Sequence, residues 1–226
     1  MEISKPVKVI SLILKIIVVL SAILGTILSA IAGKAYFMGG PTVMMYFTIQ
    51  SNLLIAVICA IGAVILLKKG RASTAWYVIK LVGTVSITLT GLVFCFILTP
   101  TLTMEAWTIQ NILTHVVVPA ASILDFFVTG VYSRIKVKYL FFVVIPPLLY
   151  AVYAGIGYVL GWQFSLGKNY PYFFLNWGSP AGAFGFTNEL PFMGSGWWII
   201  ALLILLLVIG LLYLGILGLL KKIFRR

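Results

Sequence analysis

The feature that most constrains this chain is a series of six apolar segments, each long enough to cross a lipid bilayer as a helix. They cover roughly residues 9–32, 44–67, 76–99, 108–131, 139–161 and 196–220, called spans 1 to 6 below. About 20 apolar residues in a helix cross the hydrocarbon core, and a helix satisfies its own backbone hydrogen bonds there. The sequence therefore predicts an all-α polytopic membrane protein, with residues 1–226 forming a single six-helix transmembrane domain.

The composition excludes a soluble protein. Of the 226 residues, 62% are hydrophobic and 9% are charged, against about 45–50% and about 25% in ordinary soluble domains. So few polar side chains cannot cover a water-facing surface, and lipid must surround most of the apolar ones. The same composition excludes disordered, collagen-like and disulfide-stapled chains.

Span 1 has one feature of a cleaved signal peptide, because residues 30–32 read Ala-Ile-Ala. Its apolar stretch is, however, about twice as long as the apolar region of a signal peptide. We therefore expect span 1 to be retained as a membrane helix.

The basic residues between the apolar segments predict the orientation of the chain. Of the 16 Lys and Arg residues, 12 lie before span 1, between spans 2 and 3, between spans 4 and 5, or after span 6. The positive-inside rule makes that side cytoplasmic, so we expect both termini in the cytoplasm and the protein in the cell (inner or plasma) membrane. The net charge of +12 does not indicate a nucleic acid partner, because the cations form short separate clusters. These cations are Lys5, Lys8, Lys68, Lys69, Arg71, Arg134, Lys136, Lys138, Lys221, Lys222, Arg225 and Arg226, whereas the opposite side carries Lys34, Lys168, Glu105 and Glu189.

Two further lysines, Lys15 and Lys80, lie inside spans 1 and 3 near their inner ends. A lysine can lay its apolar stem along a helix and keep its ammonium group in the headgroup region. We therefore expect both to snorkel toward the cytoplasmic surface.

The sequence indicates no metal and no cofactor. It has one histidine and two cysteines without metal-ligand spacing, and it lacks the glycine-rich nucleotide loops and the G-x-S-x-G elbow. The halves 1–99 and 108–220 share no polar pattern, so an inverted-repeat transporter is not indicated either.

The one long connection, residues 162–195, lies on the predicted outer side and is rich in aromatic residues. One interpretation is an aromatic belt at the membrane surface. The other is a lid over a cavity that opens in the outer leaflet. Its aromatic residues are Trp162, Phe164, Tyr170, Tyr172, Phe173, Phe174, Trp177, Phe184, Phe186 and Phe192.

Polar side chains inside apolar helices are the main indication of function, because each is costly where it stands. In span 2, Thr48, Ser51 and Asn52 are three and four residues apart and share one helix face. In span 4, Asn111 and His115 form an i, i+4 pair, and Ser122 continues that polar stripe.

Depth links Thr48 with His115. Counted from the outer ends of their spans, Thr48 lies about 6 Å deep and His115 about 10 Å deep at the helical rise of about 1.5 Å per residue. An imidazole at the level of a hydroxyl can take its proton as the oxygen attacks an acyl carbon. The alternative is that Thr48 bonds back to its own helix and His115 ties span 4 to a neighbour.

Asp125 is a second ionisable group inside span 4. It lies ten residues beyond His115, about 15 Å deeper, and so cannot orient that imidazole. Its expected partners are Ser122, Lys80 or Arg134, in a structural pairing or in proton transfer.

Two further features of the sequence concern the packing of the helices. The hydroxyl pairs Thr84/Thr88 and Ser86/Thr90 of span 3 are expected to bind neighbouring helices, and Pro146-Pro147 to kink span 5 and make room for a cavity.

Three segments resemble the androgen-induced-gene family of transmembrane proteins and its bacterial six-helix relatives. Residues 47–53, FTIQSNL, resemble the family's F-T-x-x-[ST]-N-L segment at the start of the second span. Residues 114–119, THVVVP, resemble its H-x-x-x-P segment in the fourth span, and residues 170–175, YPYFFL, resemble the Y-P-x-F segment of the bacterial relatives. The segments occur in the family's order and on the corresponding spans.

The resemblance implies a threonine hydrolase of the membrane interior. Animal members of the family cleave fatty acid esters of hydroxy fatty acids with a threonine nucleophile and a histidine. Transferred residue by residue, these roles fall on Thr48 and His115, the same two residues that lie at matching depth.

Two functions follow. The first is a lipid-ester hydrolase, whose partner is a membrane lipid or lipid-like ester, with Ser51, Asn52 or Asn111 as donors to the oxyanion. The second is a non-enzymatic protein that binds or transports a lipid or small molecule, with Asp125 relaying protons. Transport requires polar residues in both halves of the bilayer, and the sequence concentrates them in the outer part, which favours the hydrolase.

Overall fold

A computed structural model describes residues 3–33, 40–69, 72–102 and 105–224, and it is 77% helical with no strand among those residues. Six helical segments are long and apolar enough to cross a membrane. The predicted all-α, six-span fold is therefore confirmed. Four cations used in the charge argument, Lys34, Arg71, Arg225 and Arg226, lie outside the described residues.

The helix bounds follow the predicted spans closely, with the largest differences, of four residues each, at the end of span 6 and at the start of span 1. Span 1 begins at Lys5, because Pro6 in its first turn fixes a helical φ and needs no hydrogen-bond acceptor. Spans 1, 2 and 6 are the single α-helices Lys5–Ala32, Phe47–Lys69 and Ser195–Phe224. Span 3 is the α-helix Thr74–Leu92, which continues as the π-helical turn Val93–Leu98. Span 4 consists of the short α-helix Ile109–Ile112, the π-helical turn Leu113–Val117 and the α-helix Val118–Gly130. Span 5 consists of the 3-10 segment Val137–Val144 and the α-helix Ile145–Val159.

Prolines explain the irregular turns. A proline lacks an N–H and its ring collides with the carbonyl four residues earlier, which for Pro119 is the carbonyl of His115. The wider π-helical turn, Leu113–Val117, relieves that collision and places His115 inside it. In span 5 the 3-10 segment gives way to a regular α-helix next to Pro146, where the sequence predicts a kink.

Span 1 packs against spans 2 and 4 with a face of small residues. A Cβ atom on Gly25 would lie 2.6 Å from Thr114 Cγ2, so only glycine permits this approach to span 4. Deeper along the same interface, apolar residues of four spans form a layer between the level of His115 and the level of Asp125. This apolar layer consists of Val18, Ala22, Ile55, Ala56, Ile58, Cys59, Ile87, Val118 and Ala121.

Below the apolar layer, Lys15 and Lys80 do not snorkel as expected. Both are buried, and each ammonium group lies 2.6 Å from a carboxylate oxygen of Asp125. Lys15 also donates to Ser11 Oγ at 2.6 Å and Lys80 to Thr129 Oγ1 at 2.7 Å. A buried carboxylate needs cationic partners, and this requirement outweighs the access to water that the lysine stems would allow.

Two expectations about this region are thereby settled. Asp125 pairs with Lys80, as predicted, but its second partner is Lys15, whereas Ser122 Oγ has no hydrogen-bond partner and Arg134 is exposed. Apart from Asp125 and the span 3 hydroxyls, the predicted inner half is expected to be apolar, and the structure adds the buried ammonium groups of Lys15 and Lys80 to it. The apolar layer nevertheless separates these charged groups from the polar groups of the outer half.

Residues 162–195, called the outer connection below after their predicted side, fold back onto the end of the bundle that carries Thr48. Tyr46, just before span 2, donates from its hydroxyl to the carbonyl of Phe164 at 2.8 Å. Phe164, Tyr172 and Phe174 are buried in the main hydrophobic core. By contrast, Phe184, Phe186 and Phe192 in the second half of the connection are exposed, as rings of an interfacial belt would be.

Candidate active site

The structure brings Thr48 and His115 together as depth predicted. Thr48 is the second residue of the span 2 helix, and His115 comes from the π-helical turn of span 4. Thr48 Oγ1 and His115 Nε2 are 3.4 Å apart, and both residues are buried. The expected proximity of the two side chains is confirmed.

The hydrogen bonds of the imidazole determine which nitrogen carries its proton. His115 Nδ1 lies 3.1 Å from the backbone carbonyl of Asn111, which can only accept. It also lies 3.0 Å from Thr114 Oγ1, whose own proton is donated to the carbonyl of Gln110 at 2.8 Å. With acceptors on both sides, Nδ1 carries the proton. Nε2 therefore presents a lone pair to the hydroxyl of Thr48, as a general base requires.

Packing on the imidazole holds this orientation. The ring of Phe94 stacks on it with a centroid distance of 3.8 Å and an angle of 15° between the ring planes. Trp107 meets Phe94 edge-on at 5.8 Å. On the backbone side, a Cβ atom on Gly91 would lie 2.8 Å from the carbonyl oxygen of His115, so span 3 approaches the π-helical turn at a glycine.

The outer connection adds a residue that sequence reasoning did not single out for the site. The Tyr172 hydroxyl accepts from the backbone N–H of Thr48 at 3.2 Å and lies 3.3 Å from Thr48 Oγ1. Burial raises the pKa of Tyr172, so its phenol keeps its proton at neutral pH. The sequence feature that could have identified Tyr172 is its hydroxyl among apolar rings, inside one of the three segments that carry the family resemblance.

The three predicted oxyanion donors have other partners. Asn52 Nδ2 donates to the carbonyls of Thr48 and Thr114, at 2.7 and 3.1 Å. Asn111 Nδ2 donates to the carbonyl of Ala106 at 2.8 Å. These hydrogen bonds hold the backbone around Thr48 and His115, and the oxyanion role of the three residues stays a prediction.

Ser51 and the hydroxyls of span 3 likewise hold helices together. Ser51 Oγ lies 2.8 Å from Thr90 Oγ1, which joins spans 2 and 3. Thr88 Oγ1 lies 2.7 Å from the hydroxyl of Tyr213, which joins spans 3 and 6. The predicted packing role is confirmed for Thr88 and Thr90, whereas the buried hydroxyls of Thr84 and Ser86 have no hydrogen-bond partner in the described part of the chain.

A cavity of about 60 Å³ reaches Thr48 between spans 2, 3, 5 and 6, under the outer connection. Tyr172, Phe174 and Leu175 of the connection line it, which is the packing expected of a lid. Its span 5 wall includes Pro147 and Ala151, so the interrupted span does border the cavity. The lining is mainly apolar, and Thr48 is among its few polar groups.

The remaining predicted residues, Asp125 and Ser122, are separate from this site. Asp125 lies below the apolar layer with its two lysines. Among the described residues, no group of three or more His, Cys, Asp or Glu side chains has the arrangement of a metal site.

Comparison with protein families, with curated proteins and with solved structures finds no match to this chain. The resemblance to the androgen-induced-gene family stays a prediction that rests on the three sequence segments. A functional assignment accordingly depends on the geometry of Thr48 and His115.

Proposed function

We propose that this protein hydrolyses lipid esters inside the membrane, with Thr48 as the nucleophile and His115 as its base. The observation that carries the proposal is the approach of the Thr48 hydroxyl to the unprotonated Nε2 of His115 at 3.4 Å, beside an apolar cavity. Catalytic hydrogen bonds are often long without substrate and shorten when it binds. The family resemblance suggests fatty acid esters of hydroxy fatty acids as substrates.

The reaction proceeds in two halves. As Thr48 Oγ1 attacks the ester carbonyl, its proton moves to His115 Nε2 and the carbonyl electrons move onto oxygen. When the tetrahedral intermediate collapses, the bond to the alcohol breaks and the alcohol takes the proton from His115. Water then attacks the acyl-threonine with His115 as base again, which releases the acid and restores Thr48.

The Nδ1 hydrogen bonds give His115 its orientation without a carboxylate. When Nε2 accepts the proton, the positive charge is shared with the carbonyl of Asn111 and the hydroxyl of Thr114. These are neutral acceptors, which stabilise an imidazolium less than an aspartate does. We therefore expect slower turnover than in hydrolases with a full triad.

The cavity indicates how the substrate binds. An apolar lining suits an acyl chain, with the carbonyl directed to Thr48. Its volume of about 60 Å³ is far below the roughly 300–1,000 Å³ of ordinary ligand pockets. A long-chain substrate therefore requires the outer connection to lift or spans 5 and 6 to separate.

The test is hydrolysis of a long-chain p-nitrophenyl ester and of a fatty acid ester of a hydroxy fatty acid by purified protein. Thr48→Ala and His115→Ala should each lower kcat by at least about 100-fold. The double variant should be little worse than either single one, because the two residues act as a unit. A fluorophosphonate should label Thr48.

The matched control is Thr26→Ala, which removes a threonine hydroxyl near the outer end of span 1. Thr26 Oγ1 makes no hydrogen bond in the structure, so this variant should keep wild-type activity. Full activity in folded Thr48→Ala protein, or labelling at Ser51, would contradict the assignment of the nucleophile.

One observation favours the alternative of a non-enzymatic binding or transport protein, namely the charged cluster of Lys15, Lys80 and Asp125 in the inner half. Transport through this fold would need a polar path across the apolar layer. If folded protein hydrolyses no ester but moves a lipid or protons across vesicle membranes, the alternative replaces the hydrolase.

A further inference from the structure

We propose that Tyr172 is a third catalytic residue, whose phenol donates a hydrogen bond to the substrate carbonyl oxygen as that oxygen becomes negative. The inference rests on the proposed hydrolase function and adds to it the oxyanion donor. It also assigns a chemical role to the outer connection, because Tyr172 lies within residues 162–195.

The position of the phenol is the first argument. The oxyanion forms on the carbon that Thr48 Oγ1 attacks, so its donors must lie within a few ångströms of that atom. The Tyr172 oxygen is 3.3 Å from Thr48 Oγ1 and lines the same cavity. A carbonyl that enters the cavity to meet Thr48 therefore also meets this hydroxyl.

The available proton is the second argument. The Tyr172 hydroxyl makes two contacts with Thr48: it accepts from the backbone N–H, and it lies within hydrogen-bond distance of Oγ1. The Thr48 hydroxyl proton is directed to His115, so Oγ1 can only accept from Tyr172. At 3.3 Å this bond is longer than the usual 2.7–2.8 Å or so. The phenol thus has a weakly used donor that an oxyanion would bind more strongly.

The backbone N–H of Thr48 is a second donor at the same place. It belongs to the first turn of span 2, where N–H groups have no acceptor within the helix and the helix dipole favours negative charge. In the structure the Tyr172 oxygen accepts from it at 3.2 Å. An oxyanion that takes over this bond would receive two donors, whereas the amide groups of Asn52 and Asn111 are directed to backbone carbonyls.

The phenol is held rigidly, as an effective oxyanion donor must be. Its ring stacks on Phe174 with a centroid distance of 5.0 Å and meets Tyr46 edge-on at 5.8 Å. The hydrogen bond from Tyr46 to Phe164 fixes the same connection to the start of span 2. When the connection lifts to admit substrate, the donor leaves with it, and the site is complete only after closure.

The experiment compares Tyr172→Phe with Tyr153→Phe in purified full-length protein, using the p-nitrophenyl ester. Loss of the Tyr172 hydroxyl should lower kcat about 100-fold, with KM changed less than threefold. Tyr153 packs against Trp162 and Phe164 in the same aromatic region but does not line the cavity, so its variant should stay within twofold of wild type. Fluorophosphonate should still label Thr48 in Tyr172→Phe protein, more slowly.

The outcomes separate the two proposals. An unchanged kcat in Tyr172→Phe protein, or an effect confined to KM, overturns the role of Tyr172 while leaving the hydrolase proposal intact. If the wild-type protein has no esterase activity, the hydrolase proposal is wrong, and the proposed role of Tyr172 is wrong as well.

A second variant covers the case in which Tyr172→Phe protein does not fold. Fluorotyrosine at position 172 preserves the shape of the ring but gives a more acidic phenol. Because the donor must be protonated, kcat of this enzyme should fall at a lower pH than kcat of the wild type. An unchanged pH profile overturns the proposal, since a merely structural ring would not alter it.

Discussion

The groups on the far side of the His115 ring determine its tautomer and its orientation. The backbone carbonyl of Asn111 and the hydroxyl of Thr114 fix the proton on Nδ1, and Phe94 fixes the plane of the ring. The nearest carboxylate along the span, Asp125, is bound to two lysines below the apolar layer. The imidazole is therefore oriented by local groups of its own π-helical turn.

Gly91→Ala tests how closely the position of His115 depends on its neighbours. The new methyl group would lie 2.8 Å from the His115 carbonyl oxygen, so span 4 must shift away from span 3. We expect esterase activity to fall at least about tenfold and stability to fall by about 1–3 kcal/mol, as for other overpacked sites. Ester hydrolysis and thermal unfolding in detergent measure the two effects.

The control for this change is Gly215→Ala in span 6, where a Cβ atom would meet nothing within 4 Å. It should leave activity unchanged. Wild-type activity in the Gly91→Ala protein would show that the approach of spans 3 and 4 does not position His115.

At the level of helices, the Asp125 cluster joins three spans at the end of the bundle away from Thr48. Lys15 comes from span 1, Lys80 from span 3 and Asp125 from span 4, and each ammonium group donates three hydrogen bonds within the cluster. Because every N–H of the two ammonium groups already has an acceptor in the cluster, none is available to a ligand. This indicates a structural role. It also explains why these two lysines lie inside the bundle rather than at the membrane surface.

Asp125→Asn should destabilise the fold far more than it affects the chemistry. The change leaves two ammonium groups buried without a counter-charge, which typically costs about 3–5 kcal/mol. The kcat of the folded fraction should change little, because the apolar layer separates the cluster from Thr48. Denaturant unfolding in micelles, with the exposed Glu189→Gln as control, measures the loss, and an unchanged stability would contradict the structural role.

At the level of the whole molecule, the two ends of the bundle are chemically different. One end presents the clustered cations, and the other carries the aromatic connection over the cavity and Thr48. The proposed active site therefore faces the outer leaflet if the positive-inside rule holds for this chain.

Reporter fusions test that orientation. Green fluorescent protein fused after residue 226 should fluoresce, because it folds in the cytoplasm, and alkaline phosphatase at the same position should be inactive. Alkaline phosphatase inserted after Lys168, in the outer connection, should be active. The reverse pattern would place the aromatic connection and the proposed site on the cytoplasmic side.

The sequence by itself determined the number of spans, their bounds and the depth of each polar residue. The thickness of a bilayer sets the length of an apolar helix, and the fixed rise per residue converts position along a span into depth. For this reason the spacing of residues along spans 2 and 4 places Thr48 and His115 at nearly the same depth.

Only the tertiary structure decided what surrounds each residue at its depth. The rotation of a helix about its axis and the choice of its neighbours depend on the packing of the whole bundle, as at Gly25 and Gly91. Packing brought Lys15 to Asp125, turned the amide groups of Asn52 and Asn111 toward backbone carbonyls, and folded Tyr172 onto Thr48 from 124 residues away. Counting along one chain fixes depth in the membrane, but contact between distant segments follows from how their side chains fit together.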